Sequence, residues 1–430
     1  MERTYIKDLK EQVGKEVLID GFVQAIRDQG GIKFLNIRDI TGVVQIVILK
    51  SEKEVFDFIK ELTLESVVQI EGFVKEEKQA PGGFEIQAKK LTLLSKAMPE
   101  LPIPVMEEKG GEETDVSIRF DWRWLDLRKQ TKSIIFKAWT EMERGMRDYF
   151  TENNYVQLYT PSFMETASET GSDVFEVKYF DRKAYLAQSP QFYKQMAMAS
   201  GFERVFMTGP VFRAEPSFTT RHTTEFTGFD FEISYIDSHH DLMKIEEDML
   251  KMIFEKLNDK LQLGLEIPAI PFPKVTMKEA KEKLKKKGVR SEKFFDLSSE
   301  EEVELSKIVK EESGHDFVFL TDWPIEGRPF YHMRHEDDPT LTKSFDLLYK
   351  GLEITTGAQR EHRPEVLEKQ ALEKGMELEP LKDYINFFRY GCPPHGGAGI
   401  GPARIIMKVL GLTSIKEATY LTRDVKRLKP

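Results

Sequence analysis

The chain has 430 residues, about three domain lengths, with 40% hydrophobic and 32% charged residues, enough for a sizeable core and too apolar for a disordered chain. Its net charge of −10, from 63 Lys+Arg against 73 Asp+Glu, argues against a uniformly basic nucleic-acid binder but does not say where the charges lie. A single cysteine, Cys392, excludes an intramolecular disulfide framework and a multi-cysteine zinc site, and without an apolar leader or any ~18-residue apolar run the chain reads as cytoplasmic, with no membrane partner.

Along the chain, the runs 16–26, 32–38, 42–49, 66–75 and 84–94 are rich in Val, Ile and Phe and are punctuated by turn residues at 30–31, 39–42 and 80–83. This spacing predicts five short strands of a small barrel. Between the third and fourth, EKEVFDFIKEL at 52–62 has helical periodicity. Three strands, a helix and two strands is the order of an OB-fold, an order that other small β domains share. Residues 1–96 are read as this domain. The polar stretch 97–116 carries Pro99, Pro102, Pro104, Gly110 and Gly111 and reads as a linker, so the hinge is set at 97–130. SIIFKAWTEMERGMRDYFTEN predicts a long amphipathic helix over 133–153, which opens a mixed strand-and-helix domain over 131–430. EAKEKLKKK at 279–287 reads as a solvated helix face, and His239-His240 as a surface cap, not a metal pair.

No P-loop, GxGxxG, HExxH or nucleophile-elbow sequence is present. Three segments stand out instead. In VFRAEPSFTTRHTTEFTGFDFEIS at 211–234, a β-hairpin with charges at its open end is expected, with Arg213 and Glu215 on one face of a strand and Phe229 and Phe231 in the core. A surface ion pair explains Arg213 and Glu215 equally well. In FDLLYKGLEITTGAQR, Asp346 and Glu353 flank a Lys350-Gly351 turn, so two carboxylates converge from adjacent strands. Such hard-oxygen pairs suit Mg²⁺ held between protein and phosphate. In HGGAGIGPAR at 395–404, a glycine-rich loop feeds an apolar helix, which suits close backbone approach to an anion.

Thr160-Pro161, then FRAE followed by RH and Phe226, then GIGPAR, resemble motifs 1, 2 and 3 of the class II aminoacyl-tRNA synthetases. With the OB-like domain, YLAQSPQFYKQ at 185–195 and ITTGAQR at 354–360, the chain resembles the aspartyl-tRNA synthetases of the compact archaeal type from about residue 14 onward. Ala403 departs from the family, which commonly has an acidic residue before the motif 3 arginine; Arg404 itself is retained.

The resemblance implies an α+β fold, an N-terminal OB-fold anticodon domain before a catalytic antiparallel sheet flanked by helices, and a homodimer built on motif 1. It implies ATP as substrate, Mg²⁺ as cofactor, and L-aspartate and tRNA(Asp) as partners. By the same resemblance Arg213 and Glu353 are catalytic, Arg213 holding the α-phosphate and the aspartate carboxylate. Glu215 contacts adenine, Arg221 and His222 reach the β- and γ-phosphates, and Phe226 stacks on the ring. Gly401 and Arg404 close the nucleotide end, while Asp346, Glu353 and Thr356 hold the metal. Arg360 and Lys194 clamp the substrate side chain, for which the bland alternative is surface solvation. Glu169 takes its ammonium group, and Ser189, Gln191 and Thr356 complete that pocket.

In the barrel, Phe34 stacks on an anticodon base, Gln45 and Glu85 hydrogen-bond, and Arg27 lies near the backbone; a core role is the bland reading of Phe34. Selectivity between tRNA(Asp) and tRNA(Asn) tracks Gln24 and Pro81 in this group. Proline offers no donor, which favours relaxed reading with tRNA(Asn) as second acceptor, and Gln24 restores part of the selectivity. Two competing readings are an asparaginyl-tRNA synthetase, against which the Gln359-Arg360 pair speaks, and a synthetase-like nucleotide- or nucleic-acid-binding protein without turnover. The intact set Arg213, Glu215, Asp346, Glu353 and Arg404 speaks against the latter.

Overall fold

Strict alternation of apolar and polar residues shapes the first part of the chain. In the computed structural model, which describes residues 1–106, 113–165 and 174–430, β1 (Glu16–Asp28), β2 (Ile32–Arg38), β3 (Val43–Leu49), β4 (Val67–Glu76) and β5 (Phe84–Ser95) close into a barrel in the order β1-β2-β3-β5-β4. The inward residues, such as Ile19, Leu35, Ile37, Ile46, Ile70 and Ile86, make its core. Helix α1 (Lys53–Phe58) runs on into a 3₁₀ turn at Ile59–Glu61 between β3 and β4, within the span expected for one helix. The pairing register of β1 with β2 shifts between Val23 and Ala25, leaving Gln24 as the extra residue of a β-bulge.

The first part of the stretch read as a linker is packed. Ile103 and Val105 are buried against Leu125, and α2 (Val116–Asp121) and α3 (Arg123–Asp126) follow. Here Arg123 Nη1 donates to Asp126 Oδ2 at 2.8 Å, both side chains being buried. Proline and charge density identify a chain segment without a ladder, not one without a core. Contacts divide the chain into two units at Lys132/Ser133.

Helix α4 (Gln130–Glu152) has the amphipathic stripe that its sequence requires, with Ile135, Met142, Met146 and Phe150 buried. Beyond it lie β6 (Val156–Gln157), β7 (Phe163–Met164), β8 (Glu176–Tyr179), β9 (Arg182–Leu186), α5 (Gln191–Ala199), β10 (Arg204–Phe212), β11 (Glu225–Ser234), α6 (His239–Leu261), β12 (Lys274–Thr276), α7 (Met277–Lys286), α8 (Ser299–Ser313), β13 (Phe317–Thr321), β14 (Ser344–Tyr349), β15 (Leu352–Gln359), α9 (Pro364–Glu373), α10 (Lys382–Arg389), β16 (His395–Ile400) and α11 (Pro402–Val409). The large sheet runs β12-β13-β14-β15-β16-β11-β10-β6. Its central pairs are antiparallel and its two edge pairs, β12 with β13 and β10 with β6, are parallel. Helices α4 and α6 pack on it through Phe150, Leu250, Ile253 and Phe254, against Phe206, Phe229, Phe231 and Phe345 from the strands.

His239 corrects the surface reading of the SHHDL turn. Ser238 supplies the cap of α6, with Asp241 completing a capping box, while His239 is only 3% exposed and neither ring nitrogen has a hydrogen-bond partner among the described residues. Burial, then the neighbouring His240, pushes its pKa down to about 3, so the imidazole is neutral.

Candidate active site

Strands β11, β15 and β16 form the floor of a cavity of about 430 Å³, within the range that holds a small-molecule substrate. Its walls come from the loop 213–224, the N-termini of α5 and α11, and the segment 328–332.

The glycines expected in a loop at 395–404 form a central strand instead. HGGAGI is β16, paired on one side with β11 and on the other with β15. Glycine is needed there for space: a Cβ at Gly397 would lie 2.1 Å from both Glu232 Oε2 and the Phe231 carbonyl oxygen. Only the turn into α11 is a loop, with Gly401 at the N-cap and its N–H donating to the Ile354 carbonyl at 2.8 Å.

At one end of the cavity, Lys194 of α5 and Arg360, just past β15, are buried at 1% and 3% exposure. That removes the surface-solvation alternative. Lys194 Nζ donates to Asp230 Oδ1 at 2.8 Å and to the Ala398 carbonyl at 3.2 Å, with Glu232 Oε2 at 3.4 Å. Arg360 donates from Nε to Glu232 Oε1 at 3.0 Å, and from Nη2 to the Gly397 carbonyl at 2.9 Å and Glu232 Oε2 at 3.5 Å. Its Nη1 faces His332 Nε2 at 3.2 Å. Burial, reinforced by Arg360 and Arg328, pushes the His332 pKa well down, so its ring is neutral and Nε2 accepts. Burial works against ionisation of Glu232, but Arg360 and Lys194 hold its carboxyl below the usual range. Two cations thus face two carboxylates. Lys194 has two of its three N–H groups engaged and Arg360 four of its five. Among the described residues these hydrogen bonds leave one N–H on each, with Glu232 Oε2 lying 3.4 Å from the Lys194 nitrogen.

The same end is stiffened by a hydrogen-bonded network. Gln191 Nε2 and the Tyr384 hydroxyl both donate to Gln195 Oε1 at 2.9 Å, and Gln195 Nε2 faces His395 Nε2 at 3.0 Å. Ser189 Oγ accepts from the Gln191 backbone N–H at 3.3 Å. Glu169 lies outside the described residues.

The other end is rich in arginine. Arg213 and Glu215 sit beyond the end of β10, in the loop 213–224, not on a strand face as expected: ladder pairing ends at Phe212 and Glu225, and only the Arg213 N–H to Thr224 carbonyl bond follows. Their side chains approach to 4.0 Å, and the Arg213 guanidinium lies 5.5 Å from the centre of the Phe226 ring. Arg404 Nη1 donates to the Glu353 carbonyl at 2.8 Å and to its Oε1 at 3.0 Å. His222 Nδ1 is 2.7 Å from Thr219 Oγ1, and burial lowers its pKa. Arg221 is held by Ser299 and Glu302 of α8. Burial pushes the Glu302 carboxyl up to about 7, with Arg221 opposing.

Asp346 and Glu353 stand on the β14–β15 hairpin, whose turn has left-handed φ values of 49° at Lys350 and 75° at Gly351. Asp346 is paired across the strands with Thr356, whose hydroxyl lies 3.3 Å from Glu353 Oε1. Asp346 sits behind the cavity wall, ion-paired to Arg328 at 2.7 Å. Burial pushes its carboxyl up to about 6, with Arg328 opposing and Glu353 adding. Its Oδ1 has no hydrogen-bond partner among the described residues. An unpartnered carboxylate oxygen beside a second carboxylate and a hydroxyl fits a hard divalent cation. Among the described residues no group of three or more His, Cys, Asp or Glu could hold a metal by itself, so such an ion needs ligands from elsewhere.

On the barrel, Leu35 and Ile37 point inward, which puts Phe34 on the outer face, half-buried. The register sets exposed Arg27 beside Phe34, and Gln45 beside Asn36; Gln45 Nε2 donates to Glu85 Oε2 at 2.9 Å. Pro81 opens the exposed turn Pro81–Gly83.

Sequence reasoning missed Asp230, Glu232, Arg328, His332 and Glu302. A signal existed for the first two: in FDFE, core phenylalanines at 229 and 231 force Asp230 and Glu232 onto the opposite face of a central strand, where charge requires charged partners. Arg328 and His332 lie on irregular chain, where no periodicity points to anything.

Comparison with known proteins shows the family. The family model described as tRNA synthetases class II (D, K and N) matches residues 115–425, and an OB-fold nucleic acid binding domain matches residues 17–94. The chain is similar to the aspartate–tRNA(Asp/Asn) ligase of Methanopyrus kandleri, with 41% identity covering 98% of this chain and 97% of that protein. It is also similar to the aspartate–tRNA(Asp) ligase of Thermoplasma volcanium, with 40% identity covering all of both. Among solved structures, the asparaginyl-tRNA synthetase of Pyrococcus horikoshii complexed with asparaginyl-adenylate superimposes with a TM-score of 0.92, at 32% identity over the full length of both chains.

Proposed function

The chain belongs to the class II tRNA synthetases for aspartate, lysine and asparagine, and on that premise we propose that it joins L-aspartate to tRNA through an aspartyl-adenylate, in the cytoplasm. The observation that carries the choice of amino acid is the pair of remaining donors on Lys194 and Arg360 at one end of the cavity. Two N–H groups match the two oxygens of a side-chain carboxylate, and arginine adds a planar fork. The amide NH₂ of asparagine would meet a donor instead, leaving a buried N–H unpaired.

At the other end Arg213, Arg221 and Arg404 suit the polyphosphate of ATP, with Phe226 offering a ring face to adenine. The aspartate α-carboxylate attacks the α-phosphorus and displaces pyrophosphate in line, so no protein nucleophile is needed. The chain's own work is positioning and charge neutralisation. Asp346 and Glu353, with Thr356, would hold Mg²⁺, which when bound would supply further neutralisation of phosphate charge. The terminal adenosine of tRNA then takes the aspartyl group, releasing AMP. The outer barrel face bearing Arg27, Phe34, Gln45 and Glu85 reads the anticodon by stacking and edge contacts, and Pro81, with no N–H to offer, favours charging of both tRNA(Asp) and tRNA(Asn).

A homodimer is part of this reading. Val156, Tyr159 and Phe163, around motif 1, are 42%, 78% and 51% exposed, an apolar patch that a second copy would cover. The deciding experiment is ATP–pyrophosphate exchange with aspartate and with asparagine, followed by aminoacylation of both transcripts. Exchange with asparagine alone would overturn the amino-acid assignment. A kcat/KM ratio above about a hundredfold in favour of tRNA(Asp), about 2.7 kcal/mol, would overturn dual charging.

A further inference from the structure

Arg221 has an unusual position for a residue expected to meet phosphate. It sits on loop 213–224, which has no ladder of its own to fix a long side chain. Its guanidinium is gripped from outside that loop: Nη1 contacts Ser299 Oγ and Nη2 contacts Glu302 Oε2. Ser299 and Glu302 are three residues apart in the first turn of α8 and so share one face. The capping box of that helix uses Ser298 and Glu301, which leaves Ser299 and Glu302 for Arg221. Glu302 is itself only 8% exposed. The helix does not use every N–H of the guanidinium: Arg221 Nε has no hydrogen-bond partner among the described residues, and Arg221 lines the cavity.

We propose that Glu302 is a positioning residue for adenylate formation: α8, through Glu302 and Ser299, fixes the Arg221 guanidinium so that its free edge faces the polyphosphate of ATP. The segment carrying α8 lies between the strands that hold the second and third motifs, and none of its residues lines the cavity. Its contribution is to orientation. The Glu302 carboxylate holds Nη2 more firmly than the Ser299 hydroxyl holds Nη1, because the bond is charge-assisted. A loop arginine without that grip would have to be ordered by ATP at each turnover, which weakens apparent binding.

The inference rests on the reading of the cavity as an ATP site, and the test separates the two. ATP–pyrophosphate exchange is measured on the full-length chain with Glu302→Ala, Glu302→Gln, Ser299→Ala and Arg221→Ala, singly and with the first and third combined with the last. Glu302→Ala is expected to raise the KM for ATP about tenfold while the KM for aspartate stays within about twofold. Glutamine, which keeps an acceptor oxygen of the same reach, recovers most of that loss. In the Arg221→Ala background, Glu302→Ala adds less than about twofold, because the residue through which it acts is gone. Should Glu302→Ala fail to fold, Ser299→Ala carries the same test, with a rise in ATP KM of about twofold to threefold that vanishes in the Arg221→Ala background. An unchanged ATP KM, a parallel rise in the aspartate KM, or full additivity with Arg221→Ala overturns the proposal. Absence of exchange in the unaltered chain overturns the ATP reading, and this inference with it.

Discussion

Replacing Arg360 by leucine tests the amino-acid end of the cavity most sharply. The pocket now balances Arg360 and Lys194 against Asp230 and Glu232; without Arg360 one cation faces two buried carboxylates. Breaking a buried ion pair costs about 3–5 kcal/mol. Lys194 stays 3.4 Å from Glu232, though shared with Asp230 at 2.8 Å, which sets the loss near ~3 kcal/mol and lowers Tm on the order of 5–10 °C. Aspartate loses one charge-assisted donor, worth about 1.5–3 kcal/mol, and meets a pocket of net negative charge. The expected fall in kcat/KM for aspartate in pyrophosphate exchange is therefore at least about a hundredfold, with the ATP KM nearly unchanged. The double variant Arg360→Leu/Glu232→Leu separates the two effects. It removes the stranded carboxylate and should recover much of the stability by scanning fluorimetry, but none of the activation. A loss of less than about threefold in Arg360→Leu, or recovery of exchange in the double variant, would refute the assignment.

Three other outcomes follow from the geometry. Phe34→Ala should weaken tRNA aminoacylation by about 1–3 kcal/mol in kcat/KM, the worth of one stacked base, without altering pyrophosphate exchange; an equal loss in both assays would mean that the barrel surface is only structural. His239 is neutral in the folded chain, with a pKa near 3 against an ordinary 6.5, so its contribution is fully present above pH 6.5 and is lost as pH falls toward 3, at up to ~1.4 kcal/mol per pH unit. His239→Leu should accordingly flatten the fall of Tm between pH 6.5 and 5. Gly397→Ala should cost at least about 1–3 kcal/mol and abolish exchange, since its Cβ meets backbone as well as the Glu232 carboxylate; a fully active, equally stable variant would contradict the close approach.

The barrel was legible because each strand has one buried and one solvated face, so period-two alternation survives in the sequence, as in IKFLNIR. The same alternation in FDFE placed the phenylalanines but hid the meaning of Asp230 and Glu232, because the counter-charges come from Lys194, 36 residues away, and Arg360, 128 residues away. Glycine in β16 misled for a related reason. A run of small residues signals that backbone must come close to something, and in isolation a loop near an anion and a strand over a buried carboxylate look alike. His239 misled because a polar neighbourhood in sequence says little about burial, once the capping is done by Ser238 and Asp241.

These errors share a physical origin that bears on the proposed choice of amino acid. Fold is written in local patterns that each segment carries alone, so the same sheet and barrel serve an asparagine enzyme as well as this chain. Specificity depends on how many N–H groups remain after a buried network has satisfied itself, a count that no single segment holds. Here, among the described residues, Asp230, Glu232, His332 and the carbonyls of Gly397 and Ala398 take up all but one N–H on each of Lys194 and Arg360. Removing one of those acceptors would free a further donor, and adding one would remove it. His332 is the most easily varied of them, because it is an acceptor only while its ring is neutral, and burial beside Arg360 and Arg328 keeps it so. On the proposed reading of Lys194 and Arg360, the preference for a carboxylate over an amide resides in the acceptors around the two cations as much as in the cations themselves.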